Sequence, residues 1–390
     1  MYRNCAPGVR VRTGRPGRLC YSRPPMDPAK RVHFAELARH PGLFLRDIDP
    51  TRDAVVLSPM SEDSYRASVF LDNRLVRDGE RDVGVTVDAL RRVLVAQQAP
   101  RRRIHWLFHV GHCGSTLLSR LLGETAGLFA LREPAVLMGL TRSARRLEEP
   151  DFPIDRERWT LLKDITLTML GRTWHPWQTA LVKATSDAVN LAPTLLRFTG
   201  EERSILLYVD LATFVTTMLR PHTRRELQLF AREFRISDFR RLVPDAPEDP
   251  ADYSDGRLAA VAWLLHVRAM AQVMDDPELA PRTFAVSFDD YLSAPAARLG
   301  AIAAFLGQPL PAATVETLLG SHAAGSYAKS PSGEAYDAGR REAELETVRL
   351  EHGQEISDAL EWAHRAVAAT PALDGLIERF SGASPLPAPR

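Results

Sequence analysis

Residues Ile104 to Glu124 read IHWLFHVGHCGSTLLSRLLGE: an apolar run, a turn punctuated by glycines, and a helical pattern opened by two hydroxyl residues. The run predicts a buried strand over 104–110 and the leucine spacing a helix from about Ser115, with Leu117, Leu118, Leu121 and Leu122 turned towards a sheet. A loop of this kind is an anion site. Gly111 and Gly114 allow a tight turn and close approach to a ligand, and the first amides of the helix direct unpaired N–H groups and a positive dipole end at it. Ser115 and Thr116 add hydroxyl donors, so the expected ligand is a phosphate. The nucleotide-binding pattern GxxxxGK[ST] is absent: its lysine is lacking, and GHCGST has a shorter glycine spacing and carries His112 where a basic residue would precede the second glycine. A ligand-free strand-to-helix turn is the plain alternative.

Outward from this stretch, strand and helix patterns alternate. Strands are expected near Leu128 to Leu131, at 180–183, 203–209 and 283–288. Helices are expected from 115, up to about Gly171, from Asp187, from Thr213, over 223–242 and 257–274, and from Pro295 to Gly307. Such alternation predicts an α/β fold, a parallel sheet of P-loop NTPase type with helices on both faces. The chain divides into a basic head over 1–26, expected to be disordered or to precede a true start at Met26, and an N-terminal α/β layer over 27–100. A P-loop core over 101–320 and a C-terminal loop with a helical tail over 321–390 complete it.

With 390 residues, 45% of them apolar, the chain is long enough for a sizeable core. Its 50 basic and 49 acidic residues nearly balance, which gives no overall pull towards nucleic acid or membrane. No apolar run approaches the roughly 20 residues that cross a bilayer. Cys5, Cys20 and Cys113 form no disulfide or metal framework, and a reducing cytoplasm is the expected location. His109, His112 and Cys113 lack a spaced second ligand pair, so no metal is expected, and no feature marks a base for a Cys113 nucleophile.

The stretch VGHCGSTL, Val110 to Leu117, resembles the 5′-phosphosulfate loop of sulfotransferases that use 3′-phosphoadenosine 5′-phosphosulfate (PAPS), with likeness to the bacterial, tyrosyl-protein and carbohydrate branches. Three further stretches follow in the family's order: FALREPAVL with Glu133, ALVKATSDAVNL with Lys183, and LLYVDLATFVTTMLR from Leu206 to Arg220. Together, in order and spacing from Val110 to Arg220, they are more specific than any one of them. The resemblance implies transfer of a sulfuryl group from PAPS to an acceptor hydroxyl or amine on a small molecule, sugar or peptide, without metal. It makes Glu133 the general base, Lys183 and His112 the groups that stabilise the leaving oxygen, and Gly111, His112, Cys113, Gly114, Ser115 and Thr116 the cradle of the phosphosulfate. Thr217, at the head of its helix, and Lys329, in SYAKSPSGEAYD, are implied for the 3′-phosphate, with Arg268 as a weaker candidate.

Two departures stand out. His112 replaces the loop's lysine or arginine, and Val209 replaces the arginine that grips the 3′-phosphate, leaving Asp210, Thr217 and Arg220 of that motif. Read without the family, Glu133 is a solvated carboxylate before Pro134, Lys183 a lysine snorkelling from a strand end, His112 a loop histidine bonded to backbone, and Thr217 a helix-face threonine. Two other function classes therefore remain: another P-loop transferase such as a small-molecule kinase, against which the missing GK[ST] lysine weighs, and a catalytically silent relative that binds without reacting.

Overall fold

The computed structural model describes residues 34–321, apart from positions 50, 78 and 80, and residues 338–381. The basic head, Met26 and Lys329 lie outside these residues. Among the described residues eight strands form two sheets. β1 (Leu43–Asp49), β2 (Ala54–Pro59) and β3 (Val83–Thr86) make an antiparallel sheet in chain order. β4 (Ile104–His109), β5 (Leu128–Arg132), β6 (Thr179–Lys183), β7 (Ser204–Tyr208) and β8 (Thr283–Ser287) make a parallel sheet in the order β5-β6-β4-β7-β8. Every residue of β4 and β7 is buried, so both faces of this sheet are covered, as parallel strands require.

The principal helices are α1 (Glu62–Ala67), α2 (Val87–Ala96), α3 (Ser115–Gly123), α4 (Val136–Arg146), α5 (Arg156–Leu170), α6 (Leu211–Met218), α7 (Pro221–Phe230) and α8 (Asp255–Asp275). α9 (Phe288–Ser293), α10 (Pro295–Phe305), α11 (Ala312–Leu319) and α12 (Ala338–Ala369) follow. Side-chain caps decide where several begin. Thr86, Asp155, Asp210 and Ser254 each accept a backbone N–H of the first turn. Asp210 therefore starts α6 two residues before the expected Thr213. The expected helix from Asp187 is a 3₁₀ turn over Ser186–Leu191, and the pattern over 223–242 is interrupted by a π-helical turn at Ala231–Arg235. Among the described residues no helix is long and apolar enough to cross a membrane.

Two buried arginines tie the antiparallel sheet and its helices to the core. Arg132, the last residue of β5, donates to the carbonyls of Tyr65, Arg66 and Ser68 at the C-terminal end of α1, at 2.7 to 3.0 Å. Arg172, after α5, donates to the carbonyls of Leu37, His40, Leu43 and Met169. A guanidinium with five donors suits carbonyls that helix and strand ends leave open. Burial pulls both guanidinium groups down to about 10, which leaves them charged at neutral pH.

His105 lies in the middle of this core, on β4. Its Nδ1 accepts the Arg203 N–H at 3.2 Å, and burial pushes its pKa down to about 3. In the unfolded chain an ordinary histidine takes up a proton near pH 6.5, which the folded ring refuses until far lower pH. Folding free energy is thus lost as pH falls below 6.5, by about 1.4 kcal/mol per unit from this residue. Urea unfolding of wild type at pH 7 and pH 5 should register that loss. His105→Asn, whose amide oxygen lies near the Nδ1 position, should show a flatter profile; an unchanged slope would contradict a buried neutral His105.

Candidate active site

The loop after β4 turns through three residues of positive φ: Gly111 at 93°, His112 at 49° and Gly114 at 76°. Gly114 caps α3 in the left-handed conformation and supplies no side-chain acceptor, so no N-cap side chain occupies the first amides of α3. A Cβ at Gly114 would lie 2.1 Å from the Phe288 ring, so only glycine fits beneath α9. The Gly111 N–H donates to His109 Nδ1 at 3.0 Å, which leaves the proton on Nε2, and Nε2 donates to the Ala184 carbonyl at 2.9 Å. His109 thereby fastens the loop to the end of β6.

The other loop residues divide by direction. The Cys113 thiol is fully buried, 3.5 Å from the Leu207 carbonyl, so only its backbone faces the turn. Ser115 and Thr116 open α3 and are largely buried. His112 is nearly buried, with Nε2 3.6 Å from Glu226 Oε2 on α7.

Glu133 and Lys183 meet at the ends of adjacent strands. The register of β5 on β6 sets Arg132 opposite Lys183, and the Glu133 N–H donates to the Lys183 carbonyl at 2.7 Å. Lys183 Nζ, at a side chain only 1% exposed, donates to the Glu133 carboxylate, which is 20% exposed. Glu133 has a φ of 50°. Of the four non-glycine residues with positive φ among those described, His112 and Glu133 are two, and such strain persists where surrounding structure imposes it.

His112 and Glu133 line one cavity of about 800 Å³ beyond the C-terminal ends of β4, β5 and β6, the edge at which open parallel sheets bind ligands. Thr185 closes its floor, and Glu226 and Phe230 of α7 and Met138 and Arg142 of α4 form walls. The remaining wall was illegible in the sequence. Arg46 of β1 and Phe70, Asp72 and Arg74, between α1 and β3, come from the N-terminal layer. Leu71 is the anchor: its N–H donates to the Arg132 carbonyl at 2.7 Å, and its own carbonyl accepts the Ala135 N–H at 3.0 Å. No local pattern announces a segment laid beside a strand end by two such bonds.

Thr217 is in the last turn of α6 rather than at its head, and it is buried. Its carbonyl accepts from Arg220 Nε and Thr223 Oγ1. Asp210 caps α6, and the Val209 carbonyl accepts the Trp263 indole N–H at 2.9 Å. Neither Thr217 nor Arg268 lines the cavity shared by His112 and Glu133. Behind the loop sits a cluster the sequence did not suggest: Asp187 lies 3.3 Å from His266 Nε2 and 3.5 Å from Arg235 Nε, all buried. Burial alone would raise the Asp187 carboxyl, but Arg235 and His266 reverse this and hold it below the ordinary range. Among the described residues no group of three or more His, Cys, Asp or Glu is arranged to hold a metal.

No protein-family model and no curated relative matches the chain. Several solved structures do. A sulfotransferase from Mycobacterium avium is 15% identical with a TM-score of 0.38, over 84% of this chain and 96% of its own. The sulfotransferase domain of the curacin biosynthetic pathway is 15% identical with a TM-score of 0.36, over 65% and 98%. A sulfotransferase from Alicyclobacillus acidocaldarius is 11% identical with a TM-score of 0.35, over 72% and 96%. Superpositions at this level carry no conclusion about chemistry, which rests on the residues themselves.

Gly114→Ala combines a left-handed alanine, about 1–2 kcal/mol, with a clash against a packed ring, about 1–3 kcal/mol. Denaturant melts should place the variant on the order of 2–5 kcal/mol below wild type. In a Phe288→Ala background the clash is gone, so Gly114→Ala should cost measurably less there. Equal costs in the two backgrounds would mean that the ring does not confine the loop.

Proposed function

We propose that this chain is a sulfotransferase that moves a sulfuryl group from PAPS to an acceptor hydroxyl or amine. The observation that supports the reading is that His112, from a glycine loop with no side-chain cap, and Glu133, ion-paired to the buried Lys183, line one cavity at the sheet edge. The four-part sequence pattern from Val110 to Arg220 lends independent weight. Sulfuryl transfer is an in-line displacement at sulfur, in which a protein chiefly positions reactants and stabilises charge on the sulfuryl and leaving oxygens.

In this reading the amides from Gly111 to Thr116 and the hydroxyls of Ser115 and Thr116 receive the 5′-phosphosulfate. Glu133 takes the proton of the acceptor as the new S–O or S–N bond forms and the S–O bond to phosphate breaks. Lys183 meets the charge that appears on the departing oxygen, with His112 beside it. The ion pair couples these roles: a proton arriving on Glu133 removes the charge that holds Lys183, and the ammonium is released to the leaving group as that group becomes anionic. Thr217 and Lys329 are assigned to the 3′-phosphate on the sequence pattern alone. The kinase reading has no loop lysine to stand on.

Two outcomes are expected. Calorimetry should find 3′-phosphoadenosine 5′-phosphate bound far more tightly than ATP with magnesium, and Ser115→Ala or Thr116→Ala should weaken that complex by about 1–3 kcal/mol, the scale of a lost charged hydrogen bond. Equal affinity for both nucleotides would sink the assignment of donor.

Glu133→Gln and Lys183→Met should each lower turnover by about 10²–10⁴-fold while nucleotide affinity stays nearly constant, because both groups act in the transition state. Incubation with PAPS and a panel of phenols, alcohols, sugars and peptides, following nucleotide release, supplies the assay. Full turnover by Glu133→Gln with every acceptor would remove Glu133 as base, and a wild type that binds PAPS yet transfers nothing would leave a silent binding protein.

A further inference from the structure

We propose that Arg74, carried by the segment between α1 and β3, is the cation that binds the sulfuryl oxygens in this cavity, in place of the basic residue for which His112 stands. The proposal rests on the sulfotransferase reading and names a residue that no part of the sequence pattern contains.

Position is the first argument. Leu71 is hydrogen-bonded to Arg132 and Ala135, the residues flanking Glu133-Pro134, so Arg74, three residues further on, is delivered beside the proposed base. Phe70 is buried against that site: its ring centroid lies 4.0 Å from the Arg74 guanidinium carbon and 5.4 Å from Lys183 Nζ. One aromatic ring therefore spaces the two cations.

Charge is the second. Among the described residues three arginines line the cavity, and two are committed to carboxylates outside its lining, Arg46 to Asp82 and Arg142 to Glu233 at 2.8 Å. Arg74 differs. Its partner Asp72 engages one edge of the guanidinium, accepting from Nε at 3.0 Å and from Nη2 at 2.5 Å, and also accepts the Arg74 backbone N–H at 2.8 Å. Asp72 so fixes the guanidinium plane while Nη1 makes no hydrogen bond to it, leaving part of a five-donor fork for an anion. The Asp72 carboxylate holds the Arg74 pKa above its ordinary range, and Glu133 and Glu226 add to this at longer distance, which marks all three as its electrostatic neighbours.

Paired binding measurements on the full chain test the assignment, with PAPS and its desulfated product as probes. Arg74→Ala should weaken PAPS about ten-fold or more, the scale of one charged hydrogen bond, and leave the desulfated product within two-fold of wild type. Arg74→Lys should recover part of the loss, and the double variant His112→Arg/Arg74→Ala, with a cation restored to the loop, should recover most of it. The Arg74 side chain is 63% exposed, so its variants should melt with wild type, and a melt confirms that they fold. An equal loss for both nucleotides would assign Arg74 to general attraction of the nucleotide, and a change confined to the acceptor's KM would assign it to the acceptor; either overturns the proposal, as does no change. Failure of wild type to bind either nucleotide would instead reject the sulfotransferase reading itself.

Discussion

The pairing of β5 with β6 in parallel register is the constraint on which the rest of the molecule turns. It sets Arg132 opposite Lys183 and brings the next residue, Glu133, onto the Lys183 carbonyl through its backbone N–H. Arg132 closes β5 and Glu133, with a φ of 50°, lies just past it, so two neighbouring residues make different contacts. Arg132 closes the open carbonyls of α1 and binds the N-terminal layer to the core, whereas Glu133 turns towards the cavity. A slip of one residue would exchange these roles and lose both.

The ion pair at that point is poorly suited to be a device for stability. Taking an ammonium out of water costs several kcal/mol, and Coulomb attraction at best repays it, so a pair of this kind commonly contributes little net folding energy. Glu133 adds a positive φ, itself about 1–3 kcal/mol of strain for a residue that is not glycine. Costs concentrated on two adjacent groups at the ligand-binding edge of a sheet accord with a chemical role, and the partial exposure of the carboxylate, 20%, leaves a route for a reactant.

The N-terminal layer has a part beyond covering the core. Through Leu71 it lays Phe70, Asp72 and Arg74 along the cavity, and through β1 it adds Arg46. The cavity therefore has one side at the edge of the parallel sheet, with His112, Glu133 and Thr185, and another that contributes charged side chains and an aromatic ring.

Much was decided by the sequence alone. The apolar run at 104–110, the glycines at 111 and 114 and the leucine spacing after them determine a strand, a left-handed turn and a helix, because these depend on side-chain periodicity and on which residues tolerate positive φ within a few positions. The alternation of buried runs with helical patterns likewise foretold a parallel sheet covered on both faces, and the same stretches contained Glu133, Lys183 and His112. What the tertiary structure alone decided is what these residues meet. Cys113 faces the core, Thr217 sits in the last turn of its helix away from the cavity lining, and His112 faces Glu226 on α7. Arg74 reaches the site from far earlier in the chain, through backbone bonds whose donors and acceptors are the same in every residue and so leave no trace in composition or spacing.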